Sequence, residues 1–174
     1  MSEFSVSLAK LASEANLTVA YTPCELEKIK VTATEASRPG MLLAGYYENF
    51  DCHRLQIIGL TEMSYLEEIS PSLRRTHLEK LFEFQPPAVI LSRGLQPLSE
   101  MMQFAKQYGV PILLSTEMTS ALMGVLITTL NTELAPRITR HGVLVEVYGE
   151  GILILGDSGV GKSETAIELV KRGH

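Results

Sequence analysis

Eight consecutive residues, Gly156-Asp157-Ser158-Gly159-Val160-Gly161-Lys162-Ser163, fit the pattern G-x-x-x-x-G-K-[ST] without a gap. Each fixed position has a chemical reason. The glycines open backbone angles closed to other residues, so that successive N–H groups turn inward around phosphate oxygens. A helix starting near Gly161 adds its N-terminal dipole and its unpaired N–H groups. The Lys162 ammonium reaches β- and γ-phosphates, and the Ser163 hydroxyl suits Mg²⁺. The spacing therefore predicts a phosphate-binding loop for a nucleotide such as ATP with Mg²⁺. By residue frequencies alone, a chain of this length matches the pattern less than about one time in a hundred.

The flanking sequence supplies the elements that would hold this loop. An apolar strand, "ILIL", leads into it, and Ala166, Ile167, Leu169 and Val170 mark the apolar face of a helix after it. Upstream, "GVLVEVY" reads as a second strand, with Gly149-Glu150-Gly151 as the tight turn between the two. The strand before the loop is thus expected beside an antiparallel neighbour.

The preceding residues read as a separate α/β domain over 1–130. Phe4, Leu8, Leu11 and Ala15 share one helical face. "LTVAYT" and "KIKVTAT" alternate as strands, Pro39-Gly40 marks a turn, and "RLQIIGL" reads as a buried strand. Residues 62–84 read as two helices broken at Pro71. "PAVILS" and "VPILLS" are continuous apolar runs suited to strands covered on both faces. Each precedes a helical pattern, with Pro97 placed at a first helical position and Thr116 at an N-cap. This βαβα order predicts a mostly parallel sheet. Polar residues 131–140, with Pro136, Arg137 and Arg140, read as a linker to a second unit over 141–174.

Composition limits the function classes. Of 174 residues, 45% are hydrophobic and 20% charged, enough apolar material for a core. The net charge of -5, without a basic run, excludes the electrostatic footprint of a nucleic-acid binder. Cys24 and Cys52 fit no metal spacing and read as free thiols of a reducing compartment. The N-terminus is too polar for a signal peptide, and "TSALMGVLITTL" is too short to span a bilayer. A cytoplasmic protein, with no membrane partner, is expected. Arg38 and Arg93 could meet an anion, but isolated arginines after strands are more commonly solvated or ion-paired.

"HGVLVEVYGEGILILGDSGVGKSETAIELVKRGH" resembles the start of the catalytic domain of the HPr kinase/phosphorylase family. "SRPGMLLAGYYENFDCHRLQIIGLTE", "PPAVILSRG" and "VPILLSTEMTSALMGVLITTL" are similar to its N-terminal domain, in the same order. The resemblance implies a bifunctional bacterial enzyme acting on HPr, the small phosphocarrier protein of the sugar phosphotransferase system. It implies phosphorylation of a seryl hydroxyl with ATP or pyrophosphate, and removal of that phosphate by phosphorolysis with inorganic phosphate, in carbon catabolite control. It also implies a homo-oligomer, typically a hexamer, and a kinase core like that of phosphoenolpyruvate carboxykinase.

Carried over by position, the family's phosphate-binding loop falls on 156–163. Its catalytic lysine falls on Lys162, its Mg²⁺-binding serine on Ser163 and its active-site histidine on His141. The resemblance further implies an acidic pair directly after "KRGH" as general base, then another Mg²⁺ carboxylate. None of Glu133, Glu146, Glu150, Asp157, Glu164 and Glu168 matches that base. These residues are therefore expected to be a part of the enzyme that is inactive alone. The competing reading is a non-catalytic regulatory or oligomerisation module with a nucleotide-binding stub. An unrelated P-loop kinase or GTPase would need a Walker-B acidic strand, which these residues lack.

Overall fold

The computed structural model describes residues 4–174, and they fall into two compact units that divide between Ala135 and Pro136. The first unit is built on a five-stranded sheet. Its strands are β2 (Thr18–Tyr21), β4 (Ala36–Ser37), β5 (Leu55–Ile58), β6 (Val89–Leu91) and β7 (Ile112–Leu114). They lie in the order β2-β7-β6-β5-β4. The β4–β5, β5–β6 and β6–β7 pairs are parallel, and β2 closes one edge antiparallel to β7. A separate antiparallel ladder joins β1 (Val6–Ser7) to β3 (Lys30–Val31).

Every residue of β5 and β6 is buried, which is why β6 reads as an unbroken apolar run, while β5 carries one buried polar residue, Gln56, whose amide donates to the Asp51 and Arg54 carbonyls. Helices cover both faces. On one side α1 (Leu8–Glu14) and α6 (Thr119–Leu134) pack through Leu8, Leu11, Leu122, Leu126 and Leu130 onto Ile57, Ile90 and Leu113. On the other side lie α2 (Gly40–Leu43), α3 (Leu60–Glu68), α4 (Pro71–Glu83) and α5 (Ser99–Tyr108). Leu66, Leu78, Phe82, Met101 and Phe104 from these helices meet Ile58, Val89 and Leu91. Burying each of the larger side chains is worth about 1.5–3 kcal/mol, so two such layers give the sheet its covering.

Buried polar groups gather at the carboxyl ends of the parallel strands. Ser92 Oγ lies 2.7 Å from Thr119 Oγ1. Glu62 accepts from the Gly59 N–H at 3.0 Å and from Arg38 Nη2 at 2.6 Å. Arg38 is therefore ion-paired, and no buried side-chain polar atom among the described residues lacks a partner.

Several local expectations shift. The opening helix starts at Leu8, capped by Ser7, so Phe4 precedes it while still packing on the core. "KIKVTAT" contributes only Lys30 and Val31 to a strand. Pro39-Gly40 opens the short helix α2 instead of a turn, because Leu42 and Leu43 gain full burial there. Pro97 precedes the N-cap Leu98 of α5. Thr116 is not a cap: α6 starts at Thr119 with Met118 as N-cap, and Ser115 Oγ takes the Glu117 N–H in the preceding turn. α6 also runs on to Leu134, whose buried side chain extends the helix into residues 131–134.

The second unit contains β8 (Gly142–Val147), β9 (Glu150–Leu155) and α7 (Lys162–Lys171). The two strands pair antiparallel from Gly142↔Leu155 to Val147↔Glu150. The turn is Tyr148-Gly149, both at positive φ (53° and 84°), while Glu150 and Gly151 belong to β9. A two-residue loop with both φ values positive matches the right-handed twist of the strands.

Candidate functional site

Six of the eight residues, 156–161, connect the end of β9 at Leu155 to the start of α7, and Lys162 and Ser163 form the first helical positions. The loop's turns depend on glycine at two positions. Gly159 and Gly161 have φ of 84° and 88°, and Gly161 is the N-cap of α7 in the left-handed conformation. That conformation leaves the helix without a side-chain cap, so first-turn N–H groups face the loop.

Lys162 is the one charged side chain of this unit that is buried, at 9% exposure. Its Nζ donates to Gly156 O at 2.8 Å and to Asp157 O at 2.6 Å. The ammonium is thereby folded inside the loop's curve, where it satisfies carbonyls that would otherwise turn to water. An anion entering the loop meets that charge together with the helix N-terminus. Ser163, Asp157, Ser158 and Val160 are exposed around it.

His141 comes from the opposite strand. It immediately precedes Gly142, which pairs with Leu155, so continuing the register sets His141 across from Gly156. Side chains alternate along a strand, which places position 141 on the same face as Val143, Val145 and Val147. Those valines are half-buried whereas Leu144 and Glu146 are exposed, and α7 packs on β8. His141 is itself exposed. The structure thus brings the lysine, the serine and the histidine of the sequence reading to one end of one hairpin.

The donor set bears on which groups fit. Among the described residues, no three of His, Cys, Asp or Glu gather as a metal cage. A Mg²⁺ ion held mainly by phosphate oxygens, with one hydroxyl from Ser163, fits such a surface, because Mg²⁺ keeps several waters and needs few protein ligands. A phosphate chain fits the glycine turns and the buried ammonium. No helix among the described residues is long and apolar enough to cross a membrane. Cys24 and Cys52 are free thiols.

Comparison with known proteins agrees along the chain. Residues 6–130 match the family model described as the HPr Serine kinase N terminus, and residues 132–174 match the HPr Serine kinase C-terminal domain. An HPr kinase/phosphorylase of Caldicellulosiruptor bescii is 49% identical over 171 residues, covering 98% of this chain and 55% of that protein. One from Streptococcus thermophilus is 44% identical over 169 residues, covering 97% and 55%. The chain therefore spans about half the length of the curated relatives it matches. Among solved structures, the CBS and DRTGG domains of the regulatory region of Clostridium perfringens pyrophosphatase align at a TM-score of 0.52. That alignment has 11% identity and covers 74% of this chain and 50% of the other, a likeness of fold alone. By both halves of its sequence, the chain belongs to the HPr kinase/phosphorylase family, of which it carries the N-terminal domain and the start of the kinase domain.

Proposed function

We propose that the loop 156–163 is the phosphate seat of a kinase and phosphorylase acting on a seryl residue of HPr, with ATP or pyrophosphate as donor and inorganic phosphate as the acceptor in reverse. The observation that carries this reading is the buried Lys162 ammonium, bonded to Gly156 O and Asp157 O inside a loop that opens a helix. In this reading the backbone N–H groups and Lys162 bind the phosphates, and the Ser163 hydroxyl takes one position on Mg²⁺, which neutralises phosphate charge. His141 stands where an imidazole steadies the transferring group or its acceptor. One seat serves both directions, since forward and reverse transfer pass through the same phosphoryl position.

The activity belongs to the full-length enzyme, working as a cytoplasmic homo-oligomer, typically a hexamer, in carbon catabolite control. The 174 residues alone bind Mg²⁺·pyrophosphate or Mg²⁺·ATP weakly, at about millimolar Kd, and transfer no phosphate. None of their carboxylates matches the general base that the family resemblance implies, a contribution worth about 10²–10⁴-fold. The test is incubation of HPr with labelled ATP, using this chain and the full-length enzyme in parallel. Labelled phosphoserine on HPr is expected with the full-length enzyme only. Transfer by the 174 residues at rates of about 1–100 s⁻¹, typical of kinases, would show that the site is complete within them.

A further inference from the structure

Gly142 has no part in the phosphate seat just described. It lies in β8, and its backbone is ordinary strand outside the left-handed region, so conformation does not demand glycine there. Space does. A Cβ at this position would stand 2.8 Å from the carbonyl oxygen of Ile154, 2.9 Å from Leu155 Cδ2 and 3.1 Å from Leu153 Cδ1.

Close carbon-to-oxygen contacts between strands normally lie at about 3.3–3.6 Å. One added carbon therefore drives β8 and β9 apart by roughly half an ångström. The backbone of Ile154 cannot yield as a flexible side chain would. The approach is local, since a Cβ on Gly151, in the same hairpin, would meet nothing within 4 Å. What lies on either side of the contact gives it meaning. Ile154 and Leu155 lead directly into Gly156, and Gly142 follows His141 in the chain.

We propose that Gly142 is a positioning residue, whose missing side chain sets the separation between the His141 imidazole and the loop 156–163. The consequence for phosphate chemistry rests on that loop being the phosphate seat. The spatial claim does not.

The experiment compares wild type, Gly142→Ala and Gly151→Ala in the whole chain by NMR, with and without Mg²⁺·pyrophosphate. In wild type, NOEs are expected between the His141 ring and the loop, and the ring resonances shift on adding pyrophosphate. Gly142→Ala is expected to remove the NOEs, abolish the ligand-induced shift of the ring resonances and weaken binding. Gly151→Ala is expected to behave as wild type. Retained NOEs across the Val147↔Glu150 end would show that the hairpin persists in the variant. Absence of His141-to-loop NOEs in wild type overturns the proposal whether or not the variant folds. So do wild-type NOEs and a wild-type ligand response in Gly142→Ala. If wild type takes no pyrophosphate, the phosphate reading fails, while the NOEs and their loss in Gly142→Ala still decide the spatial claim.

Discussion

Replacing Lys162 with methionine keeps an unbranched apolar stem, with a thioether sulfur in place of one methylene, and removes the ammonium. In the free protein that ammonium makes two hydrogen bonds, of 2.8 and 2.6 Å, to the carbonyls of Gly156 and Asp157. Both of those residues are exposed, so water can replace the lysine. The net cost to stability should stay near that of an ordinary hydrogen bond, about 1 kcal/mol or less. With phosphate bound, the balance differs. The ammonium then faces an anion in a loop from which water has been displaced, and a hydrogen bond between charged groups is worth about 1.5–3 kcal/mol. That converts to roughly a ten- to hundredfold increase in Kd for Mg²⁺·pyrophosphate. Calorimetric titration reads the affinity, and amide exchange of β8, β9 and α7 reads the stability. An unchanged Kd in Lys162→Met would refute the placement of this charge on the phosphates. A full loss of exchange protection in the hairpin would refute the claim that water can take its place.

Native-state hydrogen exchange should separate the two units. Amides of β5, β6 and β7, whose side chains are almost all buried, are expected to be the slowest, and those of β8, β9 and α7 markedly faster. Equal protection in both would contradict the packing argument. Acid should weaken the first unit partly through Glu100. Its carboxyl is held below the usual carboxylate range by its backbone N–H, then by the Ser99 hydroxyl, and by Arg74, against the opposing effect of burial. A group with a lowered folded-state pKa stabilises above its unfolded value, about 4.3 for Glu, and loses that contribution as pH falls through the folded value. Glu100→Gln should therefore flatten the acid limb of a melting-temperature profile below about pH 4, and an unaltered limb would count against the interaction.

Two central strands were legible because burial on both faces leaves no alternation to misread, as "PAVIL" and "VPILL" show. The loop was legible because its residues act through local backbone geometry. What escaped depended on distant partners. Pro39-Gly40 carries the letters of a turn, yet Leu42 and Leu43 find a core that residues far along the chain provide. Thr116 has the chemistry of a cap, but the start of α6 is set by the turn tied through Ser115. Gly149-Glu150-Gly151 carries the letters of the hairpin bend, but strand register, absent from composition, puts the bend at Tyr148-Gly149 and leaves Glu150 and Gly151 in β9. His141 illustrates the same limit within the site. No local chemistry marks it apart from the family resemblance, and its relation to Gly156 exists only across a strand pair.

The hairpin has one further consequence. Its face away from α7 carries Leu144, Leu153 and Leu155, exposed at 71%, 48% and 54%. Within the two-stranded ladder formed by the described residues, each strand also has an unpaired edge. The run "GILIL" has no charge and no proline and is rich in β-forming residues, the composition that stacks into cross-β assemblies when left uncovered. The strand that leads into the loop 156–163 thus also has the composition of a self-associating segment. Covering those leucines is therefore a matter of solubility for this chain.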